Sequence, residues 1–113
     1  MNQEKEKLAA QIRAGAFVAN NGRVLRTINI LRTRYNRLTG VQTVLEDQGV
    51  MEDEFADSIN FLSMEEYIQL RRVGDRTEVR DLADDDWKML EAKLTPKGIR
   101  LLAGGISDEM VEV

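Results

Sequence analysis

The chain contains neither cysteine nor histidine. Without cysteine there are no disulfides, no thiolate zinc sites and no cysteine nucleophile. Without histidine the commonest general base and the commonest transition-metal ligand are missing. Proline and tryptophan occur once each, and no low-complexity run or internal repeat is visible. The longest apolar runs, such as Ala14–Ala19, fall far short of the roughly 20 residues a membrane-spanning helix needs. Met1 to Lys7 mixes glutamate with lysine and has no signal-type apolar core. These absences lead to the expectation of a cytoplasmic protein without membrane, metal or cofactor, and without catalytic equipment.

What remains is ordinary for a folded domain. The 113 residues suit one domain, and 42% hydrophobic with 32% charged residues read as globular. The net charge of −4 hides an asymmetry. Residues 1–44 carry eight basic residues against two acidic ones, a net +6, and residues 45–113 carry eight against eighteen, a net −10. Such a division marks an electrostatic binding face or head-to-tail self-association.

Hydrophobic spacing divides the chain further. Leu8, Ile12 and Ala16 recur every four residues and predict a helix over 4–18. Asn20-Asn21-Gly22 is expected to stop it, because Asn and Gly tolerate the left-handed conformation. Val24, Ile28, Leu31, Tyr35 and Leu38 predict a second helix from Arg23 to Arg37, with Arg23, Arg26, Arg34 and Arg37 gathered on another face. Val41, Val44 and Leu45 point to a short third helix ending at Gln48-Gly49. Met51, Phe55, Ile59 and Leu62 predict a fourth from Met51 to Met64, with Phe61 beside the stripe.

After Glu66 the period drops to two. In Tyr67–Val73, Ile68 and Leu70 face one side while Gln69 and Arg71 face the other. Gly74-Asp75 turns the chain, Val79 to Leu82 is a short strand or loop, and Asp84-Asp85-Asp86 reads as an acidic loop or the first turn of a short element. Lys88 to Leu94 alternates again, placing Leu90, Ala92 and Leu94 on one face, and can pair antiparallel with 67–73. Thr95 and Pro96 cap and start a last helix, which carries Ile99, Leu101 and Leu102 and ends at Gly104-Gly105. Trp87, Met51, Met64 and Met89 read as packing residues. The expected fold is mainly α with a two-stranded antiparallel ribbon (α+β), as one domain over 1–113. It comprises an N-terminal helix 4–18, a helical core 23–64, a ribbon 67–94, a closing helix 95–104 and an apolar tail 105–113 that docks on a neighbour.

Phe55-x3-Ile59-x2-Leu62-x4-Tyr67-Ile68-x-Leu70 resembles the third helix of a winged helix-turn-helix running into its first wing strand. Ala92-x-Leu94-Thr95-Pro96-Lys97-Gly98-Ile99-x-Leu101-Leu102 resembles the second wing strand entering the closing helix. The pattern is similar to MarR-, PadR- and ArsR-type regulators, and the chain's ending is similar to small winged-helix proteins of Mu-like prophages. The resemblance covers residues 55–104. It implies a homodimer that binds double-stranded DNA, with the third helix of the motif in the major groove and the wing along the backbone. The corresponding role is a phage or prophage transcriptional regulator.

The candidate nucleic-acid contacts are Arg23, Arg26, Arg34 and Arg37, with Arg32 nearby, and Arg71, Arg72 and Arg76 on the wing, beside Arg80. Guanidinium groups suit bidentate phosphate contacts, although a solvated helix face or charged strand edge uses the same residues. The helix in the recognition position carries Glu52, Asp53, Glu54 and Asp57 and no Lys or Arg, and Glu65 and Glu66 follow it. Two other readings fit that acidic set. One is a protein partner bound through helix 51–66, and the other is helix N-terminal charge favoured by the macrodipole. Helix 4–18 is expected to pair with its symmetry mate.

Overall fold

The computed structural model describes residues 2–113. Its first element is one continuous helix, α1, from Asn2 to Asn29. The break expected at Asn20-Asn21-Gly22 does not occur, and the helix expected over 23–37 stops eight residues early. The reason is tertiary. Asn20 is buried against Glu54 of a later helix, and Asn21 and Gly22 because the C-terminal tail lies across them. A Cβ at position 22 would fall 1.7 Å from the Glu112 carbonyl oxygen, so glycine here permits close approach and does not end a helix. The Asn21 side-chain amide donates to the Met110 carbonyl (2.9 Å) and the Arg26 guanidinium to the Glu112 carbonyl (3.0 Å). The Glu112 N–H donates to the Val18 carbonyl (3.2 Å). These bonds offset the helix-propensity deficit of Gly, about 1 kcal/mol, and the smaller one of Asn.

Past Asn29 the chain turns. The Asn36 side-chain amide donates to the carbonyls of Leu31 (3.2 Å) and Arg34 (3.1 Å) and fixes the turn. Asn36–Arg37 then form a short strand, β1. Helix α2, Leu38–Glu46, buries Leu38, Val41, Gln42 and Leu45 at helical spacing, whereas Val44, expected inside, is exposed. Helix α3, Glu52–Met64, buries Phe55, Ser58, Ile59 and Leu62. Glu54 accepts from the Met51 N–H at its start (3.1 Å), and Phe61 meets Phe17 of α1 edge to face at 5.2 Å.

Strands β2, Ile68–Arg72, and β4, Leu90–Leu94, pair antiparallel in full, from Ile68 opposite Leu94 to Arg72 opposite Leu90. The alternation read from the sequence therefore holds: Ile68, Leu70, Leu90, Ala92 and Leu94 are buried. The sheet is larger than the expected ribbon. β1 adds to β4, and β3, Glu78–Val79, adds to β2, giving four strands in the order β1-β4-β2-β3. A two-residue strand leaves no periodic trace, so β1 is invisible in the pattern, while β3 takes up only the start of the segment from Val79 read as a short strand or loop.

The connection between β3 and β4 contains two 3-10 turns, Leu82–Asp84 and Trp87–Met89, begun by the side chains of Asp81 and Asp86. Trp87 packs edge to face on Phe55 at 5.1 Å. Met51, Met64 and Met89, expected to pack, are exposed because each falls at the rim of its element. Helix α4, Pro96–Ala103, begins with Thr95 Oγ1 accepting from the Gly98 N–H (3.1 Å) and ends at Gly104 in the left-handed region. One core joins α1, α2, α3, the sheet, α4 and Val111 of the tail. Among the described residues no helix is long and apolar enough to cross a membrane.

Candidate interaction surfaces

The arginines expected on one helix face are dispersed. Arg23 and Arg26 remain on α1, Arg34 lies in the turn after it, and Arg37 lies in β1. Arg23 donates to the Asn20 side chain (3.0 Å), and Arg26 is held by the tail. Arg32, Arg34 and Arg37 are exposed and form no ion pair among the described residues.

The arginines expected on a wing are mostly engaged within the chain. Arg71 pairs with Glu91 across the strands, and its guanidinium lies 3.5 Å from the centre of the Tyr35 ring. Arg72 meets Asp85 through two nitrogens (2.7–3.1 Å). The Asp85 carboxylate raises its pKa further above the ordinary guanidinium range. Arg80 pairs with Glu66 at 3.2 Å. Arg76 is exposed at the β2–β3 turn with a positive φ of 63°. Beside it, Asp75 accepts from the Thr77 N–H (2.9 Å), and this bond, more than Arg72, holds its carboxyl below the usual range.

The sheet joins the two groups of arginines. Arg37 stands opposite Glu91 in the β1–β4 ladder, and Arg71 stands opposite the same residue in the β2–β4 ladder. Arg37, Arg71, Glu91 and Glu78 thus share the outer face of the sheet, where Gln69 donates to Glu78 (2.6 Å). That face is mixed in sign. Neither Tyr35 nor the Asp85–Arg72 bridge was legible as a partner in the sequence, because each pairing crosses a turn of unpredicted geometry.

The acidic residues are grouped. Lys88 reaches Glu52 at 3.8 Å, and Trp87 contacts Phe55, so the turn opened by Asp86 packs on the N-terminal end of α3. Asp86, which opens that turn, therefore lies on the same side as Glu52, whereas Asp85 is turned to Arg72. On the other flank of α3, Asp53, Glu54 and Asp57 face Ile12, Arg13, Ala16, Phe17 and Asn20 of α1 across a groove of about 480 Å³. Asp53 and Asp57 have no cation within bridging distance among the described residues.

A larger groove, about 650 Å³, runs between the β2–β3 edge and the start of α4. Its one serine, Ser63, donates to the Arg80 carbonyl (2.7 Å), and Glu66 of the same groove is paired with Arg80. Among the described residues no group of three carboxylates is placed to hold a metal ion.

Comparison of the chain with protein-family models, curated proteins and solved structures finds no match.

Proposed function

We propose that the chain is a non-catalytic winged-helix module whose partner is a protein, bound through the acidic surface at the α3 N-terminus and the wing base. The element order supports the architectural half of this reading. A helix, a short strand, two helices and a strand pair with β4 between β1 and β2 fit the winged-helix plan, with residues 73–89 read as an enlarged wing. The single observation that carries the functional half is the charge at the place where such a fold meets DNA. Glu52 stands there beside the turn opened by Asp86, with Asp84 in the turn before it; Lys88 is engaged with Glu52, and Asp85 with Arg72. Phosphate affinity comes from cations, so this surface suits a basic protein.

Duplex DNA is the second reading, favoured by Arg32, Arg34, Arg37 and Arg76, which are exposed and unpaired among the described residues. Anisotropy with a labelled duplex separates the two. A protein making six to ten phosphate contacts loses roughly 10³–10⁵ in affinity between about 50 and 200 mM salt. The expected result is weak duplex binding that Arg32→Ala/Arg34→Ala/Arg37→Ala leaves unchanged. A basic protein captured on the tagged chain should elute with salt and fail to bind Glu52→Lys/Asp84→Lys/Asp86→Lys. Tight, steeply salt-dependent duplex binding abolished by the triple alanine variant would replace the protein reading with the DNA one.

A further inference from the structure

Residues 2–15 of α1 are exposed almost throughout, with Leu8 58% and Ile12 66% accessible. At 100° per residue, Lys5, Leu8, Ile12, Ala16 and Ala19 fall on one stripe, and Lys5 is its only charged member. The stripe runs beside the acidic groove, since Ile12 and Ala16 form part of the groove's α1 wall. Gly15 borders it, with nothing within 4 Å of where a Cβ would stand. A mid-helix glycine costs roughly 0.5–1 kcal/mol relative to alanine, and within one copy nothing approaches Gly15 to use the space.

We propose that the projecting half of α1 seats along the α1–α3 groove of a second copy, antiparallel to that copy's α1. A two-fold axis near Ile12 makes this contact self-complementary. Leu8 of one copy then lies opposite Ala16 of the other, and the absent side chain at Gly15 lets the helices approach. Lys5 comes opposite Ala19, next to Asn20 and Glu54 at the end of the groove that also carries Asp53. Each copy supplies one Lys5 and one groove whose three carboxylates outnumber its single cation, Arg13, so the charges match twice. A parallel pair would set Lys5 against Lys5. The proposal concerns the chain's own assembly and stands whatever the outer surface binds.

Sedimentation equilibrium and cysteine cross-linking test it. The wild-type chain should sediment as a dimer at micromolar concentration. Ile12→Asp, on an exposed position outside the core, should give a folded monomer by circular dichroism. Lys5→Glu should weaken the dimer about tenfold, the equivalent of about 1.4 kcal/mol. Because the chain has no cysteine, Ile12→Cys should form a disulfide-linked dimer on mild oxidation. Ala10→Cys, on the opposite side of the helix, should not. Leu8→Cys should cross-link only when mixed with Ala16→Cys. A wild-type monomer, a dimer that survives Ile12→Asp, an effect absent in Lys5→Glu, or equal cross-linking at positions 10 and 12 would each overturn the arrangement.

Discussion

The two halves of α1 use similar residues in opposite surroundings. Val24, Leu25 and Ile28 are fully buried, whereas Leu8 and Ile12 are mostly accessible. The difference does not come from helix propensity, since the projecting half is rich in Ala, Lys and Glu and the docked half contains Asn20, Asn21 and Gly22. The half with the poorer helix formers is the better anchored, because α3, α2, β4 and the tail close around it. Packing decides where the helix is held, and propensity carries it beyond the globule.

The sharpest test of that contrast is truncation of one apolar side chain in each half. Leu25→Ala should cost about 2–5 kcal/mol, the usual range for a buried leucine in a filled core. Ile12→Ala should stay within about 0.5 kcal/mol when both are measured by urea melts in the dilute limit, where self-association cannot contribute. Equal losses would mean that the projecting half is packed within one chain after all.

Gly22 probes the boundary between the halves. Its replacement by alanine sets a Cβ against the Glu112 carbonyl, so the tail must lift. That forfeits the bonds from Asn21, Arg26 and the Glu112 N–H, each worth about 1 kcal/mol net, and the burial of Val111. The gain in helix propensity, about 1 kcal/mol, opposes this. A net loss of roughly 2 kcal/mol from the bonds alone, and more with the burial of Val111, is expected, with the tail newly open to carboxypeptidase. In a chain already cut after Gly105, Gly22→Ala should instead be neutral or stabilising. If it destabilises the truncated chain equally, the tail is not what the glycine accommodates.

The same residues show how far the fold was legible. The β2–β4 alternation, the α3 stripe and the Thr95-Pro96 start are local signals, and local periodicity reports them. Asn20-Asn21-Gly22 was misleading for a physical reason. The Asn20 side chain answers to Glu54, and the Asn21 side chain and the missing Cβ of Gly22 to a tail 89 residues away, and a single-sequence pattern cannot distinguish a glycine that ends a helix from one that admits a neighbour. The arginines were misread similarly. Spacing placed Arg34 and Arg37 on a helix, but the Asn36 side chain closes a turn there. Arg71 and Arg72 looked available until the sheet and the 3-10 turns brought Glu91 and Asp85 to them. The acidic character of α3 needed no structure. Its continuation into the turn before β4 did, because Trp87 on Phe55 brings the two together.

The smallest expected effect lies where the tail leaves the sheet. Tyr67 is buried, and its hydroxyl donates to Asp108 at 2.5 Å. Burial first, then that hydrogen bond and the Asp108 charge, raise the phenol above its ordinary value of 10.0. The folded state therefore holds the proton more tightly than the unfolded state. Linkage then requires a contribution that is complete below pH 10 and declines as pH rises beyond it towards the folded-state value. Tyr67→Phe should cost about 1 kcal/mol at neutral pH, from the lost bond to Asp108. It should also remove the Tyr67 share of the alkaline decline, so the wild-type and variant stabilities converge above pH 10. Asp108→Asn keeps an acceptor but removes the charge, and should produce an intermediate slope. Denaturant midpoints recorded between pH 7 and 11 decide this. A constant gap between wild type and Tyr67→Phe across that range would show that the proton on Tyr67 is not coupled to the docking of the tail.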